Sequence, residues 1–440
     1  MIPLKPSRAI RLLCGADLHL GKAFSYGAGP GKEHFLIQAW ENFIDFALDP
    51  DSAVDAVLLA GDIFDSEKDL YEAVYHFEKG IAKLAEKGIV VLAVAGNHDA
   101  RLFSLRSFFS HLPGFYILGK NGTWESYYLE REGRKIRIDG WSFPSEHFAA
   151  NPLRLQPPVQ PEEIAIGLLH CECPGPKESL YAPVSLQDLG SSGHKAWVLG
   201  HIHIPQNILN SSSRGAKAYP LAFYCGSLQG LDISEQGPRG AMVLDIQSTG
   251  EIHDHFIPLA PFLWRHHIIE MDNGEQDLGV RLENASKEIA HGERTRGLAI
   301  RFYLRGRVRN YQALAARACE WEGKQLTSFF NGFSPVPCWI EKIVVDCQPT
   351  FDLELLGKGE NIIGQLAKRL LLLEKKEGVE LLKKARTSIE EKLFTFPHLG
   401  SSYTDDQLRL EALRSGYALL DRLMQQKNPS SAHFEKGDFR

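Results

Sequence analysis

The stretch VLLAGDIFD at residues 57–65 decides the fold class, because a continuous apolar run ends abruptly in a glycine followed by two carboxylates. Similar runs occur on either side of it. Residues 10–19 read IRLLCGADLH, and residues 89–99 read IVVLAVAGNHD. Short, wholly apolar runs are typical of strands buried on both faces. The sequence therefore predicts an α/β fold, in which such strands alternate with helical segments.

Two later apolar runs end in histidine in the same way. They are AIGLLH at residues 165–170 and AWVLGHIH at residues 196–203. In an extended backbone, residues two apart project to the same side, so Asp17 and His19 can aim at one point, as can the last two histidines of AWVLGHIH. Open α/β sheets gather their functional groups at the carboxyl ends of their strands. We therefore expect these polar side chains to meet.

The polar residues at the strand ends offer imidazole, carboxylate and amide donors but no thiolate. They are Asp17, His19, Asp62, Asn97, His170, His201 and His203. This donor set suits divalent transition ions such as manganese, iron or zinc. One ion cannot use seven protein ligands and stay open to substrate, so two ions are the natural number, with Asp62 as the central candidate for a bridging ligand.

At this point the sequence resembles a known family. The ordered motifs D-x-H, GDIFD, GNHD, a lone histidine after an apolar strand, and GHIH resemble the calcineurin-like metallophosphoesterase superfamily. The flanking stretches SLYAPVSLQDLGSSGHKAWVLGHIH and YCGSLQGLDISEQGPRGAMVLDI are similar to the SbcD-type DNA-repair exonucleases, particularly their YhaO-like branch. The resemblance implies a metallophosphoesterase sandwich of β-sheets flanked by helices, and phosphodiester hydrolysis with two divalent ions, of which manganese is the expected one.

The resemblance also implies roles for individual residues. One ion would be held by Asp17, His19, Asp62 and His203, and the other by Asp62, Asn97, His170 and His201. His98 would lie over the leaving group as general acid or charge stabiliser, and Asp65 would orient it by a hydrogen bond to its other ring nitrogen. A single Asp-x-His is more often a cap or a surface pair, so the prediction rests on all five motifs in order.

Changes in composition predict three regions. Residues 1–260 would form the two-metal phosphoesterase domain, residues 261–348 a small α+β capping or DNA-binding module, and residues 349–440 a helical C-terminal region. Within the module, we predict strands near 264–271, 298–304 and 340–345, and helices near 277–291 and 310–321.

The C-terminal region carries apolar residues at helical spacing. They are Ile362, Leu366, Leu370 and Leu373, followed later by Leu413, Tyr417, Leu420 and Met424. The usual interpretation of such stripes is that the helices pack against one another. The family resemblance adds another, which is docking of the coiled coil of an SbcC-like ATPase.

The densest basic stretch lies in the middle module. Its members are Arg301, Arg305, Arg307 and Arg309, preceded by Arg294 and Arg296. Arg305, Arg307 and Arg309 alternate, so in an extended strand they would share one face and could follow a phosphate backbone. A solvated strand edge explains the same pattern equally well.

Composition limits the class of protein. The chain has 440 residues, 44% hydrophobic and 24% charged, which is typical of a globular protein and excludes disordered, collagen-like and coiled-coil classes. No apolar run approaches the ~20 residues that span a bilayer, so we expect no membrane association. The seven cysteines form no disulfide framework, which favours a cytoplasmic location. The net charge of −6 discriminates weakly, since local basic patches can bind phosphates.

These observations favour a manganese-dependent DNA exonuclease acting in DNA repair or end processing with an SbcC-like ATPase; a homodimer stays open. One alternative is a phosphodiesterase or phosphatase acting on a small substrate. Protein phosphatases of the superfamily typically carry Arg after GDxxD and Glu after GNH, whereas this chain has Ser66 and Asp99, which favours a diesterase. Another alternative is a scaffold that recruits an ATPase to DNA ends.

Overall fold

The structure is a computed structural model. It describes residues 5–6, 9–22, 34–65, 70–104, 109–209, 220–272, 277–293, 295–308, 311–330, 335–349, 351–395 and 404–427.

The strands within these ranges are β1 (Ile10–Gly15), β2 (Ala56–Ala60), β3 (Val90–Val94), β4 (Phe115–Ile117), β5 (Trp124–Arg131), β6 (Arg134–Trp141), β7 (Ala165–His170), β8 (Ala196–Gly200), β9 (Gln206–Leu209), β10 (Leu221–Tyr224), β11 (Gly240–Ile246), β12 (Ile252–Pro258), β13 (Phe262–Met271), β14 (Gly297–Val308), β15 (Gln325–Phe330) and β16 (Pro335–Pro349). The α-helices there are α1 (His34–Leu48), α2 (Leu70–Glu86), α3 (Ala100–Ser104), α4 (Leu186–Ser191), α5 (Leu278–Gly292), α6 (Tyr311–Trp321), α7 (Leu353–Leu356), α8 (Ile362–Glu374), α9 (Val379–Thr395) and α10 (Asp405–Lys427).

Two mixed sheets organise the N-terminal part of the chain. The first has the order β12-β11-β1-β2-β3-β4, and its strands from β1 to β4 run parallel. The second has the order β5-β6-β7-β8-β10-β9, and its strands from β6 through β7 and β8 to β10 run parallel. Parallel strands in both sheets give each sheet an edge at which several carboxyl ends come together.

The alternation of side chains along each strand builds three apolar layers. On β1, Leu13 belongs to the cluster that contains Trp40 of α1, while Leu12 belongs to the cluster shared with Ile166 of the second sheet. The outer face of the second sheet buries a further cluster that includes Trp197. Helices therefore cover the first sheet on one side and the second sheet packs on its other side. This confirms the predicted sandwich of sheets flanked by helices.

A third sheet and the C-terminal helices follow. The sheet has the order β13-β14-β16-β15, and α5 and α6 lie at the sequence positions predicted for the two helices of the α+β module. Buried side chains of α7, α8 and α10 share one apolar cluster, which includes Leu353, Leu370, Leu413 and Leu420. The predicted helical C-terminal region is therefore present, and its buried stripes pack on one another.

The chain divides into two compact units by its own contacts. The first comprises Met1–Arg265, Glu293–Ala299 and Phe330–Cys338, and the second comprises His266–Gly292, Ile300–Phe329 and Trp339–Arg440. The three-region division stays a prediction. Among the described residues, no helix has both the length and the apolar character that crossing a membrane requires.

A buried ion pair joins two neighbouring strands of the first sheet. Arg11 on β1 donates from Nε and from a terminal nitrogen to the two carboxylate oxygens of Asp245 on β11, both at 2.7 Å. Another guanidinium nitrogen donates to the carbonyl of Ser52 at 2.9 Å. Arg11 is fully buried and Asp245 is 1% exposed. Because both charges are out of water, each depends on the other.

We predict that Asp245→Ala lowers the free energy of unfolding by about 3–5 kcal/mol, because it leaves the Arg11 guanidinium buried without its counter-ion. Urea unfolding followed by tryptophan fluorescence measures this. The double variant Arg11→Met, Asp245→Leu removes both charges and should lose clearly less. Equal losses of stability in the single and double variants would show that the unpaired charge of Arg11 is not the cause of the destabilisation.

Candidate metal centre

The predicted ligands lie where strands of both sheets end. Asp17 and His19 follow β1, and Asp62 follows β2. Asn97 and His98 follow β3, His170 is the last residue of β7, and His201 and His203 follow β8. The structure thus brings the sequence-predicted residues from five strands to one place, as their positions at strand ends predict. Whether they bind metal stays a prediction.

The backbone around these residues adopts a conformation that side chains rarely tolerate. Asp17, His19, Asp62 and His201 all have positive φ, of 49°, 44°, 50° and 101°. Such strain concentrates at functional sites, where the surrounding structure enforces it. Gly96 allows the close approach of two loops, because a Cβ atom at that position would lie 2.1 Å from Oδ1 of Asp62.

His19 and His203 face each other across the first half of the site. Their Nε2 atoms are 3.1 Å apart. Nδ1 of His19 lies 3.0 Å from a carboxylate oxygen of Asp65, and Nδ1 of His203 lies 2.7 Å from one of Glu235. An ionised carboxylate only accepts, so both Nδ1 atoms carry the hydrogen. The two Nε2 atoms can then either share one proton or both bind a cation between them, and Asp17 lies within ligand reach of both rings.

Asp62 lies between the two halves of the site. Its Oδ2 is 3.9 Å from Nε2 of His19 and 3.4 Å from Nε2 of His170, while its Oδ1 accepts the backbone N–H of His98 at 2.9 Å. Nε2 of His170 also lies 3.1 Å from Oδ1 of Asn97. A carboxylate reached by histidines from both sheets can be shared by two cations, so the donor set and its arrangement fit two divalent ions.

His201 completes the second half at a longer range. Its ring centroid is 5.3 Å from that of His170, and its backbone N–H donates to Asp17 at 3.0 Å. The described clusters of histidine and carboxylate atoms that could hold a metal are Asp17 with His19 and His203, His19 with Asp65 and His98, and Asp17 with Asp62 and His170. His201 therefore stands beside these clusters rather than within one.

Burial and neighbouring charge shift the pKa values in opposite directions. Burial acts to raise the pKa of Asp62, but the combined attraction of His170, His19 and His98 outweighs it and holds the pKa below its usual range. Burial acts to lower the pKa of His170, but Asp62, together with Asp17 and the carbonyl of Ala60, raises it to about 9. For His201, burial and the charge of His170 together lower the pKa to about 3. These shifts favour an ionised Asp62 and a neutral His201, which are the forms that bind metal, whereas His170 must lose a proton before it can bind one.

The structure differs from the expected contact between Asp65 and His98. The carboxylate of Asp65 is 3.7 Å from Nδ1 of His98, too far for a hydrogen bond, and bonds instead to His19. Nδ1 of His98 lies 3.1 Å from the backbone carbonyl oxygen of Asp65. Asp65 therefore holds His98 through its backbone and His19 through its side chain. The side chain of His98 is 40% exposed.

Sequence reasoning missed Glu235 altogether and named Asp99 only for its difference from the protein-phosphatase pattern. Glu235 bonds to His203 although 32 residues separate them, and no spacing pattern links them. Asp99 accepts the backbone N–H groups of Ile63 at 2.6 Å and Gly96 at 2.7 Å, which ties together the loops that carry Asp62 and Asn97. Burial, together with the charge of Asp62, raises the pKa of Asp99 to about 7.

The predicted DNA-binding arginines lie in the other compact unit. Arg301 donates two hydrogen bonds to the carboxylate of Glu341, and Nε of Arg305 is 3.5 Å from Asp346. A terminal nitrogen of Arg307 is 3.8 Å from Glu374. Each of these three therefore has a carboxylate with which a phosphate would compete. Arg309 and Arg294 lie outside the described residues.

Residues 10–205 match the model of the family described as calcineurin-like phosphoesterase. The match contains every candidate ligand. This part of the chain is therefore similar to the calcineurin-like metallophosphoesterase superfamily.

Curated relatives are more distant. The chain is 28% identical over 274 residues to the uncharacterized metallophosphoesterase YhaO of Bacillus subtilis, covering 58% of this chain and 62% of the relative. It is 24% identical over 210 residues to the DNA double-strand break repair protein Mre11 of Methanopyrus kandleri (44% and 45%). It is also 26% identical over 141 residues to a protein of Bacillus subtilis named as part of the nuclease SbcCD (31% and 34%). The matches span less than two thirds of each relative.

We predict that Asp62→Asn reduces the bound Mn²⁺ from two ions to at most one, because the neutral amide cannot bridge two cations as a carboxylate can. Equilibrium dialysis followed by elemental analysis measures the stoichiometry. Asp188→Asn, the same substitution in the capping box of α4, is the control and should keep both ions. Two ions bound to Asp62→Asn would contradict the bridging assignment.

Proposed function

We propose that the chain is a manganese-dependent phosphodiesterase that cleaves DNA as an exonuclease. The observation that carries the proposal is the position of Asp62 between histidines of both sheets, since a carboxylate shared in this way suits a pair of ions. Bound ions would supply Lewis-acid charge and lower the pKa of water for attack on phosphorus. DNA is favoured as substrate because two of the relatives are named as a break-repair protein and a nuclease.

The chain's own residues would divide the work. Asp17, His19, Asp62 and His203 would hold one ion, and Asp62, Asn97, His170 and His201 the other. His98 is suited to the leaving group because it is exposed beside Asp62. Since its Nδ1 donates to the Asp65 carbonyl, its Nε2 is the nitrogen that can pass a proton to the departing oxygen.

Two alternative functions are hydrolysis of a small phosphate ester and a scaffold role. Phosphate-ester hydrolysis of a small substrate would use the same centre. Asp99 favours a diesterase only because it differs from the residue typical of protein phosphatases. Its carboxylate accepts hydrogen bonds from two backbone N–H groups. Ser66 lies outside the described residues. A scaffold role would need the C-terminal helices rather than the centre.

An SbcC-like coiled-coil ATPase is the proposed partner, and exposed apolar side chains on the C-terminal helices support it. The apolar side chains exposed there are Leu355, Ile362, Leu372, Val379, Leu410 and Leu419. One relative is named as part of SbcCD. The homodimer and the cytoplasmic location stay predictions.

The deciding experiment offers end-labelled duplex DNA, single-stranded DNA and a small chromogenic diester to the purified chain with Mn²⁺. We expect DNA cleavage, and His98→Ala should slow it by about 10²–10⁴-fold without loss of metal. The control His111→Ala changes a histidine whose side chain is 58% exposed and should not affect the rate.

The other outcomes of this experiment each favour an alternative. Hydrolysis of the diester alone would favour a small substrate. A chain that binds Mn²⁺ but cleaves none of the three would favour the scaffold.

A second prediction concerns the exposed arginines of β14. If Arg305 and Arg307 bind duplex phosphates, changing both to Gln should flatten the plot of log affinity against log salt, by about 0.9 in slope for each phosphate that is no longer bound. Fluorescence anisotropy with labelled DNA at several salt concentrations measures it. The control Lys383→Gln, Arg409→Gln removes the same charge from α9 and α10. An identical slope in both double variants would assign the arginines to a solvated strand edge.

A further inference from the structure

Glu235 is held rigidly against His203. It lies between β10 and β11 and is 8% exposed. Its Oε1 accepts Nδ1–H of His203 at 2.7 Å, while its Oε2 accepts the hydroxyl of Ser227 at 2.8 Å and the backbone N–H of Leu231 at 3.2 Å. Nε of the buried Arg239 is 4.0 Å from Oε2. With both oxygens engaged, the carboxylate has one orientation.

The same loop also fixes the backbone of His203. The N–H of Ser227 donates to the carbonyl of His203 at 2.9 Å, and Ser227 forms a parallel bridge with Ala16, which directly precedes Asp17. One loop therefore holds the main chain and the ring of His203 and borders the strand end that carries Asp17. These contacts do more than pack the loop against the site, because they fix both the position and the rotation of the His203 imidazole.

The bond to Glu235 also sets the tautomer of His203. With hydrogen on Nδ1, the lone pair of Nε2 points toward Nε2 of His19, 3.1 Å away. The histidine of the other half is held differently, since Nδ1 of His170 lies 2.9 Å from the backbone carbonyl of Ala60. A change at Glu235 should therefore reach one half of the centre only.

We propose that Glu235 is a positioning residue, which orients His203 for the ion shared with Asp17 and His19 and leaves the ion at His170 untouched. The inference rests on the proposed two-metal function. Carboxylates behind metal-binding histidines typically contribute about 10–100-fold in metal affinity.

The test is a titration of the full chain with Mn²⁺, in which the free ion is counted by electron paramagnetic resonance. The unaltered chain should bind two ions. Glu235→Gln should weaken the binding of one ion by about 10–100-fold and leave the affinity of the other unchanged.

Asp139→Asn is the matched control. Asp139 is a buried carboxylate that accepts from Nε2 of His194 at 3.0 Å. His194 precedes β8 and His203 follows it, so the control lies about one strand length, ~16 Å, away. Both Mn²⁺ affinities should stay unchanged in this variant.

The outcomes separate the two proposals. A chain that binds no Mn²⁺ would overturn the two-metal function and the inference with it. Two ions bound with unchanged affinities in Glu235→Gln would overturn the positioning role alone. Should Glu235→Gln lose the far-ultraviolet circular dichroism of the folded chain, Ser227→Ala decides. It removes one of the two hydrogen bonds to Oε2 and leaves the ring of His203 in place, so it should weaken the binding of the same single ion. Unchanged binding in that variant would also overturn the role.

Discussion

The Asp62 carboxylate, buried where strands of both sheets end, is the feature on which the rest of the structure depends. It is 2% exposed, and a buried charge is costly unless it is paired. Histidines from both sheets and a backbone N–H surround it, yet the opposed Nε2 atoms of His19 and His203 show that these groups do not satisfy one another without added positive charge. A bound cation would supply that charge, and metal binding would then contribute to the stability of this region.

The fold supports that arrangement by over-determining it. Four residues of the centre have positive φ, and each such residue costs on the order of 1–3 kcal/mol. The apolar layers on both sides of the first sheet, and ties such as Asp99 and Glu235, hold the loops in place. The strain is thus local, whereas the stabilisation comes from the whole sandwich.

Much of this was predictable from the sequence, for a physical reason. Buried parallel strands are continuously apolar, so the abrupt change to Gly-Asp or Gly-His marks both the end of a strand and a candidate ligand.

Other features could not be predicted in this way. The hairpin of β5 and β6 lacks that signal, because its polar residues alternate with apolar ones. The expected bond between the Asp65 carboxylate and His98 is absent because the order of motifs does not say whether a side chain or the backbone makes a contact. Ile362 has the spacing of the apolar stripe, but it is the first residue of α8 and is 72% exposed, so it does not belong to the buried part of the stripe. The bond from Glu235 to His203 depends on tertiary folding alone.

The proposed centre would hold two cations with Asp62 between them. The most direct measurement is a crystal structure of the chain soaked with Mn²⁺, with anomalous diffraction recorded at the manganese absorption edge. We expect two anomalous peaks about 3.5–4 Å apart, one on each side of the Asp62 carboxylate. A single peak, or peaks elsewhere in the chain, would contradict it.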